Sequence, residues 1–342
     1  MRVLVTGNRG YIGAVLTSYL KERSYEVVGL DVDYYNGCEI TDIVPPDKQI
    51  IKDIREVTKK DLSGIDYIIH LAALSNDPLG ELSPSLTEEI NLGGTIRLAE
   101  AAKEIGIKRF VYASSQSMYG ISETDDELDE EDSDKNPVTS YAKTKWDAEL
   151  FLRSIADSDF LVACFRPSTV FGFSPKLRCD IVYNYFVACA YTTGKIEVKS
   201  DGTPWRPVIH VEDVCSAFLA GIEAPRDLVA GQSFNVGILG GNYTVRELAE
   251  AAIQVVPSSE VIFTGEHSDQ RTYRVSFKKI NTVLNEYFKP KWDLLSGGQD
   301  MIANFKSIGF NEKIFRGSKC NRLSHLHDLI ETGKLSRQLT RI

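Results

Sequence analysis

The chain opens on a short apolar run, Arg2-Val3-Leu4-Val5-Thr6, and runs of similar size recur at Glu26 to Leu30, Gln49 to Lys52, Tyr67 to Leu71, Arg109 to Ser114 and Leu161 to Phe165. Short continuous apolar runs read as strands buried on both faces, as in a parallel sheet. Between them the spacing turns helical. An amphipathic stretch leads up to Arg23, and Thr87 to Ile105 has helical periodicity with Thr87 as N-cap and Gly106 as stop. A further helix is expected over Tyr141 to Ala156, just after Pro137 and Ser140. Strands alternating with helices predict an α/β fold on a doubly wound parallel sheet, with ligands at the carboxyl ends of its strands. The regularity fades after Gly172.

The first strand runs into Gly7-Asn8-Arg9-Gly10-Tyr11-Ile12-Gly13 and then a helix. Strand, glycine turn, helix is the arrangement in which a helix N-terminus receives a pyrophosphate. Gly7 permits the tight turn, Gly10 the close approach of phosphate, and Gly13 the packing of helix on strand. The second strand ends at Asp31, whose carboxylate can accept from adenine-ribose hydroxyls and would repel a 2′-phosphate. Arg9 points the other way, since a guanidinium in this loop could pair with a 2′-phosphate. On balance the pattern favours NAD over NADP. We therefore read 1–171 and 206–232 as a dinucleotide-binding Rossmann domain, and 172–205 with 233–342 as a smaller substrate lobe.

Tyr141 and Lys145 stand four apart at the start of a helix, so both side chains lie on one face. A nearby ammonium favours the phenolate, which equips Tyr141 as an acid/base group below its ordinary pKa of about 10.

Charge and composition narrow the class. A net charge of −9 leaves no basic surface for nucleic acid. The apolar runs are strand-sized, so no membrane span is expected, and Met1 leads straight into the first strand without a signal peptide. The six cysteines (Cys38, Cys164, Cys179, Cys189, Cys215, Cys320) contain no C-x-x-C pair, which predicts reduced thiols and a cytoplasmic protein. Glu123 to Asp134 carries nine carboxylates and reads as a solvated surface loop. His210 reads as structural, His325 and His327 as surface residues, and no metal site is expected.

Thr6-Gly7-x-x-Gly10-x-x-Gly13, His70-Leu71-Ala72-Ala73, Tyr112-Ala113-Ser114-Ser115, Tyr119-Gly120, Tyr141-x-x-x-Lys145 and Arg206-Pro-Val-Ile-His210-Val-Glu-Asp213 follow one another in this order. With them the chain resembles the extended short-chain dehydrogenases/reductases, in their NAD-dependent nucleotide-sugar epimerase/dehydratase group. The resemblance implies NAD contacts at Gly7, Arg9, Gly10, Tyr11, Ile12, Gly13, Asp31, Asp53, Ile54, Leu71, Ala72, Ala73, Tyr141 and Lys145. It implies catalytic roles for Ser115, Tyr141 and Lys145, and substrate contacts at Ser75, Ser115, Thr169, Arg206 and Arg271. The two arginines fall where the group holds its substrate diphosphate, and guanidinium forks suit phosphate. A homodimer is implied, joined through the Thr87–Ile105 and Tyr141–Ala156 helices.

Departures from the group's pattern carry the reaction class. Its 4,6-dehydratases typically have Thr-Asp-Glu where this chain has Ser115-Gln116-Ser117. Neither Gln116 nor Ser117 titrates near neutral pH, so dehydration by the usual route is disfavoured. Hydride transfer without a second acid/base pair remains, which describes a 4-epimerase or a 4-ketoreductase; a non-catalytic NAD-binding sensor is the reading outside enzymology. Asp31 tilts towards the epimerase. Thr169 stands where relatives often have asparagine, and the loop Ser75 to Gly80 differs from that of the galactose epimerases, so the sugar stays open.

Overall fold

The computed structural model describes residues 1–75, 83–122, 126–265 and 272–341. Its principal elements are β1 (Arg2–Thr6), α1 (Tyr11–Lys21), β2 (Glu26–Asp31), β3 (Lys48–Ile51), β4 (Tyr67–His70), α2 (Gly94–Glu104), β5 (Arg109–Ala113), α3 (Ser140–Ile155), β6 (Leu161–Pro167), α4 (Val182–Thr193), α5 (Val211–Glu223), β7 (Ser233–Val236), α6 (Val245–Val255), α7 (Leu294–Ser307) and α8 (Arg322–Glu331). Strands β1 to β7 form one sheet of seven in the order β7-β6-β5-β4-β1-β2-β3, with every pairing parallel. The strand order reverses between β1 and β4, and that switch point is where a crevice opens at the carboxyl ends.

Alternation along each strand feeds two cores. Val3, Val5, Val27, Ile69, Val111 and Phe165 face one side, packed with α1 and α5. Leu4, Val28, Ile68, Phe110, Tyr112 and Val162 face the other, packed with α2, α3 and α8. Burial on both faces explains why these strands read as unbroken apolar runs. A third core joins α4, α6 and α7 in the smaller lobe. Among the described residues no helix is long and apolar enough to cross a membrane.

The expected domain boundary at 232 falls short. Ser233–Val236 is β7, paired with β6, so the large sheet continues beyond it. The tail assigned to the lobe also returns to the sheet. Ile280, Leu284 and Phe288 join one core, and Leu326, Leu335 and Leu339 the other. A four-residue strand and amphipathic helices of ordinary composition gave too little pattern to be placed from sequence.

The helix expected to start at Thr87 starts earlier. Ser83 is its N-cap and Pro84 its first residue, a position where proline's missing N–H costs nothing. A π-helical turn over Glu88–Gly93 then leads into α2. The acidic stretch is more than a solvated loop. Glu127–Leu128 pairs with Arg274–Val275, and buried Glu130 accepts the Asn235 N–H at 2.7 Å. All six cysteines are buried free thiols. His210 is buried and N-caps α5, as expected of a structural histidine. His325 is half-buried rather than a surface residue, with Nε2 at 3.1 Å from the Tyr34 carbonyl oxygen.

Candidate active site

A cleft of about 560 Å3 opens at the switch point. Its floor is the glycine loop. Gly7 adopts φ +70°, and a Cβ there would meet the Ala72 nitrogen at 2.9 Å, because the loops leaving β1 and β4 touch. A Cβ on Gly13 would sit 2.1 Å from the Gly7 oxygen, so only glycine lets α1 begin this close to β1. No side chain caps the N-terminus of α1, whose first turn lines the cleft. An uncapped helix start beside a glycine loop is suited to an anion.

At the end of β2, Asp31 also lines the cleft and accepts from the backbone N–H groups of Arg9 (2.9 Å) and Asp33 (2.7 Å). Arg9 is not among the residues lining it. The Arg9 guanidinium turns aside, with Nε 2.8 Å from the Asp33 carboxylate, so the cation that argued for a 2′-phosphate is already neutralised. Asp53 and Ile54 line the same end, with the Asp53 carboxylate held by Arg55 Nη2 at 2.7 Å.

Leu71, Ala72, Ala73 and Ser75 line the cleft beyond β4. This segment is ordered by buried polar side chains that had no role assigned from the sequence. The Thr6 hydroxyl accepts from the N–H groups of Leu71 and Ala72, both at 3.2 Å. Its proton then goes to His70 Nδ1 at 2.6 Å, and His70 Nε2–H donates to Thr95 Oγ1 at 2.8 Å, since that hydroxyl donates onward to the Asn91 carbonyl at 2.5 Å. Burial depresses the His70 pKa to about 3, which keeps the ring neutral. Asn91, displayed by the π-helical turn, accepts from Leu74 N–H at 2.8 Å and donates to Thr144 Oγ1 at 3.2 Å. The loop after β4 is thereby tied to α3. The π-helical turn has no sequence signature that would have flagged Asn91.

Tyr141 and Lys145 both line the cleft from the first turns of α3, which Thr139 caps by accepting the Ala142 N–H at 3.2 Å. Lys145 is buried and donates to the Ala113 carbonyl at 2.6 Å. Burial pulls its pKa down to about 7, against an opposing pull from Glu149. Ser115, two residues past β5, lies on the same wall, its Oγ 3.1 Å from the hydroxyl of Ser117. Gln116 follows, with its side-chain N–H donated to the Arg166 carbonyl at 3.0 Å.

Thr169 and Arg206 complete the wall towards the smaller lobe, on two short paired strands, Thr169–Phe171 and Trp205–His210. Arg271 lies outside the described residues, as does Asn76 to Gly80. The cleft also takes in residues not expected from the sequence: Tyr35, Asp180, Tyr273 and Arg322. Arg178 lines it too, with its guanidinium held by Asp180 at 2.7 Å.

The model of the NAD dependent epimerase/dehydratase family matches residues 3–237 of this chain. UDP-glucose 4-epimerase of Bacillus subtilis (strain 168) is 29% identical over 344 residues, covering 89% of this chain and 95% of that protein. dTDP-D-glucose 4,6-dehydratase of Mus musculus is 28% identical over 316 residues, covering 85% of this chain and 84% of that one. Among solved structures, MoeE5 in complex with UDP-glucose and NAD aligns with a TM-score of 0.74 at 26% identity, over 90% of this chain and 99% of that chain.

Proposed function

Because this chain belongs to the NAD-dependent epimerase/dehydratase family, we propose that it is an NAD-dependent nucleotide-sugar 4-epimerase. The cleft fits the cofactor. The glycine loop and the uncapped start of α1 receive the diphosphate, and Asp31 takes the adenosine ribose hydroxyls. With Arg9 neutralised by Asp33, nothing in that loop recruits a 2′-phosphate. When bound, NAD supplies hydride acceptance at C4 of the sugar and hydride return to its opposite face.

The chain's own residues supply the proton chemistry. Tyr141 removes the proton from the C4 hydroxyl as the carbon is oxidised, and gives it back on reduction. Lys145 stabilises the phenolate, and Ser115 orients the reacting oxygen. Arg206 holds the substrate diphosphate, joined from outside the described residues by Arg271, with Thr169 and Ser75 towards the sugar.

One observation carries epimerisation over dehydration. The described carboxylates lining the cleft are Asp31, Asp53 and Asp180, and each is engaged: by backbone N–H groups, by Arg55 and by Arg178. Beside Ser115 stand an amide already bonded to the Arg166 carbonyl and a serine. An elimination needs a carboxyl acid/base pair there. A nucleotide-4-keto-sugar reductase is the second reading, since Tyr141, Lys145 and Ser115 serve ketone reduction equally.

A proton NMR time course with UDP-, dTDP-, GDP- and CDP-sugars, without added cofactor, tests the proposal. Appearance of a C4 epimer is expected. Turnover only of a 4-keto sugar with external NAD(P)H would replace the epimerase by the reductase, and turnover of nothing would favour a sensor. We place the enzyme in the cytoplasm on its six free thiols. We also read it as a homodimer joined through α2 and α3, where Leu150 is 45% exposed; a monomer in sedimentation would refute that.

A further inference from the structure

The proposed chemistry leaves three cations of the cleft unused: Lys52, paired with Asp61, Arg178, paired with Asp180, and Arg322. Arg322, the first residue of α8, is 1% exposed and lines the cleft. Its Nη2 donates to the Lys176 carbonyl at 2.7 Å, and its guanidinium carbon lies 4.3 Å from the centroid of the Tyr35 ring. Its Nη1 is buried with no hydrogen-bond partner. A buried guanidinium with an unpaired donor is costly unless a ligand completes it. Nearby acids are already committed. Asp180 is bonded to Arg178, and Glu39 pairs with Lys176.

The surroundings indicate which part of a ligand would complete it. Tyr35, under the guanidinium, belongs to the segment leaving β2 just past Asp31. The chain following Arg322 clamps that segment. The Tyr34 hydroxyl donates to the Leu339 carbonyl at 2.6 Å, and Arg341 Nη2 donates to the carbonyls of Val32 and Asp33 at 3.0 and 2.9 Å. On its other side Arg322 is bonded to the Lys176 carbonyl, two residues past Ser174, whose hydroxyl donates to the Tyr11 carbonyl in the first turn of α1 at 2.8 Å. Arg322 is therefore tied both to the segment that leaves β2 and, through residues 174–176, to the helix start read above as the phosphate site.

We propose that Arg322 is a dinucleotide-binding residue: its Nη1 donates to a phosphate oxygen on the AMP half of the cofactor, and α8 with Tyr35 closes that half of the cleft. The inference rests on the reading of the cleft as an NAD site. It gives the C-terminal segment, which lies beyond the part of the chain matched by the family model, a role in retaining the cofactor between half-reactions.

Calorimetric titration of the full chain, first freed of any bound nucleotide, with NAD and with ADP-ribose tests this, using the wild type, R322M and R322K. R322M is expected to bind both ligands at least about tenfold more weakly, with R322K in between because it keeps the charge and loses the planar fork. A natively folded R322M that binds both like the wild type overturns the proposal. Should R322M not fold, hydrogen exchange on the wild-type chain decides: NAD should slow exchange over 322–331, and unchanged exchange there overturns it. A wild type that binds neither ligand overturns the NAD reading itself, and this inference with it.

Discussion

Glu149 and Arg166 form a fully buried ion pair behind the reactive helix, with Arg166 Nη2 2.6 Å from Glu149 Oε1 and both side chains 0% exposed. The hydroxyls of Ser114 and Ser233 donate to the same carboxylate at 2.5 and 2.7 Å. Burial pushes the Glu149 carboxyl up, but the guanidinium and these donors outweigh it and hold the group ionised. The pair fixes α3 against β6, one turn beyond Lys145. Removing one partner strands the other charge in the core, so Glu149→Gln should cost about 3–5 kcal/mol in urea denaturation. The Glu149→Leu/Arg166→Leu double variant should be less damaged than Arg166→Leu alone. A double variant at least as unstable as that single one would show that packing, and not the stranded charge, sets the loss.

Tyr141→Phe keeps the ring and its packing and removes the only atom that moves a proton in the proposed reaction. Turnover should fall on the order of 100- to 10,000-fold. NAD binding should be largely retained, because the glycine loop and Asp31 are untouched. Single-turnover kinetics beside a dinucleotide titration separates the two effects. Turnover surviving in this variant would remove Tyr141 from the chemistry.

Gly13→Ala puts a methyl 2.1 Å from the Gly7 oxygen and 2.6 Å from Asn8 Cα, both backbone atoms with no rotamer to yield. Either α1 moves off β1 or the loop opens. Overpacking of this kind costs about 1–3 kcal/mol, and the same shift spoils the phosphate cradle. Lower thermal stability together with weakened NAD binding is the expected result. Stability lost with affinity intact would mean that the loop does not hold the cofactor.

The parts of this molecule that were legible in the sequence are those whose chemistry lies within a few residues. The strand Arg2–Thr6, its glycine turn, Asp31 at the end of β2 and the Tyr141/Lys145 spacing each carry their signal locally, and Gly7, Gly10, Gly13, Asp31, Tyr141 and Lys145 line the cleft. The pairing of Arg9 was not legible because its partner, Asp33, is 24 positions away and reaches it only once β2 is folded. The same holds for Glu149 and Arg166, whose pairing depends on two elements meeting. Arg322 sits in a mixed-polarity helix where an arginine reads as a solvated cation. Only the return of the tail onto the sheet buries it. Asn91 depends on a π-helical turn, which periodicity reads as ordinary helix.

Asp213 gives the fold a pH dependence with a definite sign. It is buried in the first turn of α5, where its carboxylate accepts the N–H groups of Lys291 at 2.8 Å and Trp292 at 3.2 Å. Burial raises its pKa from 3.8 to about 6, reinforced by Glu212 and opposed by those two donors and Lys291. Between these two values the native state holds a proton that the unfolded chain has released. The stabilisation is complete below the lower value and is lost as pH rises through the upper one. At about 1.4 kcal/mol per pH unit it amounts to roughly 3 kcal/mol. Asp213→Asn cannot titrate, so the wild type should lose stability relative to this variant by up to about that much between pH 4 and 6. Urea unfolding of both proteins across this range checks it. Parallel stability curves would mean that Asp213 is ionised throughout and that its two backbone donors outweigh its burial.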